Sequence, residues 1–554
     1  MDKYLLSAVF EVSSLLFHFS FDRPFHTPKI VGLVVLCVLL ARRFGIANPG
    51  WMPILLFAWP LFSFLWVTNP MDHVQAMLAA ALYLCVMCVR PSTEFLEALR
   101  GDLAVVGVLI CIYLFLQHLG IDVVAWEPGS APGSFLGNAN ICAHFLVLAI
   151  CLGRFSENAS PYALPVVRAI MIGGILACQS RGALLALSIW FLFQARNLPA
   201  RYLKGIYSAV VLAIVVLSFL FLGEIRIGFE HLTHPGEWAQ NYEAMPLTLG
   251  EQRALEAKLA RGTEISEEEQ QQLDAIPAWF KDKRMSLMLR EILWGNSALM
   301  AMDAPWIGKG LGQFHVTYPQ WSRSWVPDVS MGMAYRVHSA HNLVLDAISQ
   351  LGILWLGLLV GFLYVSLQKS DTDLRLAFGL QLLIAMFSLN YLNPLIVTTL
   401  LLFLPRSKAG GAMIKILLYG LAAVIAFLAV MDLKDTPKPS GLIPERWAAQ
   451  YYESDEFKKA LGAQIKAWEQ DPYGPETLCN LYLIALQVPD GESLARGALL
   501  RVCELHPNYE PAGDELAEQI KRGWISDGEQ APSEEVFLYM VRELEGVLKS
   551  SSQR

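Results

Sequence analysis

Apolar stretches long enough to enter a lipid bilayer recur along this chain from its first residues to about residue 431, and they limit the fold before any motif is read. Crossing the hydrocarbon core takes about 17 to 25 residues of helix. Spans read at 4–20, 29–41, 51–67, 72–89, 102–119, 140–153, 164–178, 182–195, 205–223, 341–367, 373–389, 391–404 and 412–431. The runs are continuous rather than alternating, so they read as helices and not as the strands of an outer-membrane barrel. The expected fold class is all-α, a polytopic membrane protein of about 12–13 transmembrane helices with a large periplasmic loop and a small helical-repeat-like C-terminal domain. Only 17% of the 554 residues are charged, against about a quarter in soluble domains. No small-residue cleavage site follows the first segment, which reads as a retained span.

Lys and Arg accumulate in cytoplasmic loops, and here they fall mostly in alternate loops. Arg42 and Arg43 are followed by Arg90 and Arg100, Arg154 and Arg168, Arg196, Arg201 and Lys204, Lys369 and Arg375, then Arg406, Lys408 and Lys415. The loops at 68–71, 120–139 and 390–393 have neither. The alternation predicts a cytoplasmic N-terminus, with the segments 120–139, 179–181 and 224–340 and the tail after 431 on the outer, non-cytoplasmic side. Arg23 and Lys29 depart from the pattern, and so does Arg181, in a tight outer hairpin. An arginine at membrane depth faces a partner or a water-filled cavity, or else snorkels to headgroups.

Four regions follow: N-terminal membrane helices over 1–223, a large outer loop over 224–340, membrane helices over 341–431, and a soluble helical domain over 432–554. In the loop, 249–276 reads as a solvated helical hairpin, and 284–302 as an amphipathic helix at the membrane interface carrying Arg290 and Trp294. In the tail, an amphipathic helix over 448–469 and later helices close on Asp471-Pro472-Tyr473 and His506-Pro507-Asn508-Tyr509. Those prolines stand 35 residues apart, resembling tetratricopeptide repeats. Such a module docks a protein partner or simply caps the membrane part.

The net charge of −8 includes no basic nucleic-acid patch. No Cys/His spacing suggests a metal. Seven cysteines lie in or beside spans as small apolar fillers, while Cys479 and Cys503 share the tail and could pair in an oxidising compartment.

Three outer elements carry chemistry-bearing residues. The first is Gly133-Ser134-Phe135-Leu136-Gly137-Asn138-Ala139-Asn140, whose small and amide residues let a backbone approach a ligand. The second is Arg181. The third runs from Asp303-Ala304-Pro305-Trp306-Ile307-Gly308-Lys309-Gly310-Leu311-Gly312-Gln313-Phe314 to His338-Ser339-Ala340-His341-Asn342-Leu343. The glycines are no nucleotide loop, since no strand precedes them. Guanidinium groups give bidentate, permanently charged contacts to phosphate oxygens, which makes Arg181 and Arg290 candidates for holding a phosphate group. Histidine is the natural base near neutral pH, which singles out His341. Asn138, Asn140 and Asn342 are candidates for binding substrate. So is His338, although an isolated histidine there reads more simply as solvated.

The pattern D-x-P-x-x-G-x-G-x-x-x-F followed by A-H-N-x-x-L and L-G resembles the bacterial O-antigen ligase/polymerase superfamily. Its members are lipopolysaccharide O-antigen ligases, O-antigen polymerases and protein O-oligosaccharyltransferases. The resemblance implies a metal-independent glycosyltransferase of the bacterial inner membrane without cofactors. It would take a saccharide from an undecaprenyl-diphosphate carrier and join it to a hydroxyl of lipid A-core, of another glycan or of a protein such as pilin. His341 matches the family histidine. Gln350 stands where members often have Glu, which removes a charge and keeps a hydrogen-bonding group. A lipid-glycan flippase is the rival from another class, but few charges lie within the spans and the polar residues gather outside them.

Overall fold

The computed structural model describes residues 3–17, 26–119, 121, 133–155, 160, 162–178, 180–195, 266, 271, 285–321, 337, 339–388, 393–406, 409–431, 448, 452, 456–505, 510–526 and 529–551. Among these, every extended element is a helix, and the β-type pairing consists of two isolated bridges. The helices are α1 (Lys3–Leu15), α2 (Thr27–Phe44), α3 (Trp51–Ser63), α4 (Pro70–Met87), α5 (Thr93–His118), α6 (Ala139–Leu152), α7 (Ala163–Cys178) and α8 (Arg181–Ala195). After the large loop come α9 (Met285–Asp303), α10 (Phe314–Trp321), α11 (Leu343–Gln368), α12 (Thr372–Ala385), α13 (Pro394–Phe403) and α14 (Ala412–Met431). Twelve of the expected spans coincide with described helices. The span at 205–223 and the hairpin at 249–276 lie outside the described residues, apart from the isolated positions 266 and 271.

Two of these helices, α5 and α11, have 26 residues each and are long and apolar enough to cross a bilayer by themselves. The others are shorter apolar helices packed around them. α1 lies on α2 and α5, α4 on α2, α13 and α14, α6 on α5, α7, α8 and α12, and both α3 and α9 on α11. One apolar core runs through the bundle, from Leu6 and Phe10 through Leu36, Phe145 and Ile384 to Ile425. The perimeter is apolar too: Leu65 is 80% exposed, Met413 82% and Ile416 73%. Water would penalise such surface and hydrocarbon would not.

The basic loops gather at one end. Ile46 bridges to Val89 and Ala47 to Ala409, Arg100 pairs with Asp371 at 3.2 Å, and Arg154 pairs with Asp373. Lys29, which broke the alternation of charge, is fully buried in the first turn of α2. Its ammonium donates to the carbonyl oxygens of Leu16 and Phe135, the latter at 2.9 Å. It ties the first hairpin to the turn at 133–137 and needs no aqueous loop.

The opposite end is built on a break in α11. Gly352 has φ 80° and ψ 168° within the helix, which frees the carbonyl groups of the preceding turn. Free backbone groups at membrane depth are costly unless protein satisfies them. The glycine-rich loop 303–313 does so: the amides of Lys309 and Gly310 donate to the oxygens of Ser349 and Gln350 at 2.8 Å, and the Ile353 amide donates to Pro305 O at 2.8 Å. The Gln350 side-chain oxygen accepts from the Gly312 amide at 2.9 Å. Close approach explains the glycines. A Cβ on Gly308 would stand 2.2 Å from Gln350 C, and one on Gly352 2.1 Å from Trp306 O. Gln313 fastens the loop to α4 through paired bonds with the Asn69 backbone at 2.7 and 2.8 Å.

The C-terminal helices α15 (Phe457–Gln470), α16 (Pro475–Ala485), α17 (Glu492–Leu505), α18 (Glu510–Lys521) and α19 (Glu534–Ser551) pack in succession, with α19 returning to α15 and α17. Their own core includes Trp468, Leu478, Leu499 and Phe537. The helix expected over 448–469 is described as continuous only from Phe457, and the turn at 506–509 lies outside the described residues. Cys479 and Cys503 are both free thiols.

The clasp between loop and broken helix predicts an order of stabilities in detergent. Gly352→Ala lowers the thermal midpoint, because a left-handed backbone alone costs a non-glycine residue roughly 1–3 kcal/mol and the new methyl also meets Trp306. Gln350→Glu keeps the acceptor and leaves the midpoint unchanged. Gln350→Leu strands the Gly312 amide and loses roughly 1–3 kcal/mol. A Gly352→Ala protein as stable as the parent contradicts the clasp.

Candidate active site

His341 stands two residues before α11, in the turn that the clasp delivers to this end of the bundle. Its φ is 54°, a left-handed conformation rare for side chains other than glycine. Several bonds hold it. Asp346, in the first turns of α11, accepts the Ser339 hydroxyl and, at 2.8 Å, the Ala340 amide. The Ser339 oxygen accepts the His341 amide at 3.0 Å. Trp294 Nε1 donates to Ala340 O at 3.0 Å. Asn342 is the N-cap of α11: its oxygen accepts from Val344 and Leu345 at 3.0 and 3.1 Å, and its amide donates to Met386 O at 3.0 Å. Strain held in place by surrounding bonds is a mark of functional turns.

Arg290 comes from the first turns of α9. That helix packs on α10 and α11, and Leu293, Asn296, Ser297 and Met300 on it are buried. Trp294 is half-buried, with its ring 5.9 Å from that of Phe387. Burial, and then the positive charge of Arg290, bring the His341 imidazole down to about 4. Burial, and then the Arg181 guanidinium, lower Arg290 from its ordinary value. Arg290 thus lies within electrostatic reach of both Arg181 and the His341 imidazole, an arrangement suited to binding an anion beside a base.

Arg181 opens α8 directly after Ser180, so a fixed cation stands at the positive end of a helix dipole, which compounds the preference for a negative ligand. Ser180 is buried, with its oxygen 3.4 Å from His144 Nε2 on α6. Arg290 also acts electrostatically on His144. On α6, Asn140 lies one turn before His144 and shares its face. Asn138 caps α6, accepting from the amides of Asn140 and Ile141 at 2.9 and 3.3 Å. Both asparagines are exposed. Among the described residues, no hydrogen bond joins their turn to His341. His338 lies outside the described residues. Lys309 pairs with Asp303 and belongs to the clasp.

Sequence reasoning passed over His144, Ser339 and Asp346. The available signal was a polar residue inside an apolar run: Asp346 is the only carboxylate in α11, and His144 the only ionisable nitrogen in α6. An apolar groove of about 470 Å³ runs between α11 and α12, lined by Leu343, Val344, Leu356, Val360 and Met386.

Residues 166–362 match the family model described as O-antigen ligase. The matched segment runs from within α7 into α11 and contains Arg181, Arg290 and His341. No curated protein matches the chain significantly.

The electrostatics predict the titration of His341. The folded ring, lowered from 6.5 to about 4, stays neutral through the physiological range and resists protonation until the pH falls well below its ordinary value. Histidine-labelled protein in detergent, compared with His341→Gln to assign the resonance, is expected to titrate near 4. In Arg290→Gln the midpoint moves up. A ring that titrates near 6.5 in both proteins rules out the shared pocket.

Proposed function

Given that this segment makes the chain a member of the O-antigen ligase/polymerase superfamily of membrane glycosyltransferases, we propose that it transfers a saccharide from an undecaprenyl-diphosphate carrier to a hydroxyl of lipid A-core. The reaction takes place on the periplasmic face of the bacterial inner membrane. The clustering of the basic loops at the opposite end supports that orientation, since such loops stay in the cytoplasm.

The observation that carries the reading is that Arg290 acts electrostatically on His341 and is itself acted on by Arg181. In the proposed step the acceptor oxygen forms a bond to the anomeric carbon of the donor sugar. The bond from that carbon to the diphosphate oxygen breaks, and its electron pair leaves with the lipid diphosphate. His341, neutral before reaction, takes the proton of the acceptor hydroxyl. Arg181 and Arg290 hold the diphosphate and stabilise the charge that grows on it, the kind of fixed positive field that contributes most to such barriers. The groove between α11 and α12 suits the isoprenoid chain of the carrier, because its wall is apolar and its lining begins at Leu343, two residues after His341 in the chain. Asn342 acts by fixing the turn, since its side chain is taken up by the cap and by Met386. Asn138 and Asn140 remain the candidates for contact with sugar.

Purified protein in liposomes, given a lipid-diphosphate glycan and lipid A-core, is expected to release undecaprenyl diphosphate as glycan-bearing lipid forms. A flippase would move the donor between leaflets and release nothing. Transfer to a repeat unit or to a pilin serine in place of lipid A-core identifies a polymerase or a protein O-oligosaccharyltransferase. His341→Ala should lose about 100- to 10,000-fold in rate, the usual worth of a positioned base, with an unchanged thermal midpoint. Arg290→Lys should not restore the function of the arginine, since an ammonium lacks the bidentate fork. Wild-type transfer by His341→Ala removes the imidazole from the mechanism.

A further inference from the structure

Asp346 is a carboxylate within an apolar helix, where it is 4% exposed. Such a group is expensive, and the helix does not need it for capping, because Asn342 already meets the free amides of the first turn. Its bonds point back to the two residues immediately before His341. Oδ1 takes the Ala340 amide at 2.8 Å and Oδ2 takes the Ser339 hydroxyl. Donation of that hydroxyl to the carboxylate turns a lone pair of the Ser339 oxygen towards the His341 amide, which it accepts at 3.0 Å. The donors run in one direction, from the His341 amide through the Ser339 hydroxyl to the Asp346 carboxylate, and the turn they close holds His341 at φ 54°.

We propose that Asp346, acting through Ser339, is a positioning residue that sets the backbone of His341 and thereby aims its imidazole. The inference rests on the reading of His341 as the base. It works through geometry: Arg290, rather than Asp346, is the charge that acts on the His341 ring. Removing Asp346 therefore misdirects the ring without altering what holds the donor, which is the task of Arg181 and Arg290. A displacement of about 1 Å at a reacting group costs on the order of 100-fold in rate.

The test measures transfer in liposomes for Asp346→Asn, Asp346→Ala, Ser339→Ala and the Asp346→Ala/Ser339→Ala double variant, with wild type and His341→Ala alongside. Asp346→Asn retains an acceptor for the Ala340 amide and is expected to lose only a few-fold in kcat. Asp346→Ala loses about 100-fold and Ser339→Ala an intermediate amount, with the donor KM unchanged throughout. The double variant falls no further than Asp346→Ala, because both substitutions undo one turn. The acidic limb of kcat/KM keeps its position in Asp346→Asn. Losses that add, losses that appear in donor KM, or wild-type kcat in Asp346→Ala each overturn the proposal. Should Asp346→Ala fail to fold, Asp346→Asn and Ser339→Ala decide it by the same split between kcat and KM. Failure of wild type to release undecaprenyl diphosphate instead sinks the parent reading, and this role with it. Active wild type with indifferent Asp346 variants sinks this role alone.

Discussion

The exchange of backbone hydrogen bonds between the loop 303–313 and the broken turn of α11 is the interaction on which the candidate site depends. Helices are favoured in lipid because they satisfy their own amides and carbonyls. Gly352 interrupts that self-sufficiency, and the freed oxygens of Ser349 and Gln350 become anchors for the loop. That loop joins α9, which bears Arg290, to α10 and so back towards His341 and α11. Fastening it to both α11 and Asn69 sets how far the guanidinium of one helix can lie from the imidazole at the start of the other. The glycines serve this approach of one backbone to another and carry no chemistry of their own.

Much of this was legible because its signal is local. An apolar run announces a helix wherever it lies, so the membrane spans and the described helices coincide within a few residues. Gly308, Gly310 and Gly312 could be read as a place of close approach, but not what they approach, since the partners Ser349 and Gln350 lie some forty residues away and no spacing rule links them. Gln350 is instructive. As a departure from the family pattern it suggested a lost charge, whereas its amide oxygen does the one thing the site asks of it, accepting the Gly312 amide. Trp294 looked like an interfacial residue because its helix is amphipathic, yet packing against α11 turned the polar edge of its ring inward to Ala340. The same signals offered nothing for His144 or Asp346. Each is a single polar residue in an apolar run, and only the fold supplies its partners.

Asn342 shows how a motif residue can matter without touching substrate. Its oxygen ends α11, and its amide fastens that end to Met386 at the close of α12. Because Met386 also lines the apolar groove, one side chain fixes both the turn that carries His341 and the mouth of the groove beneath it. On the proposed reading, a carrier whose apolar chain lies in the groove would bring its polar end towards that turn, the kind of proximity that lowers the cost of reaction.

Burial acts twice in the pocket, and the two effects belong together. It brings Arg290 into range of Arg181, where like charges in a medium of low dielectric oppose each other, and it holds the His341 ring neutral. Lowering the imidazole from 6.5 to about 4 makes its protonated form less favourable by about 3 kcal/mol. Part of that lowering comes from the Arg290 charge. On the proposed reading, a diphosphate held by Arg290 would offset that part, so that the base would gain strength in the presence of the donor it is to serve.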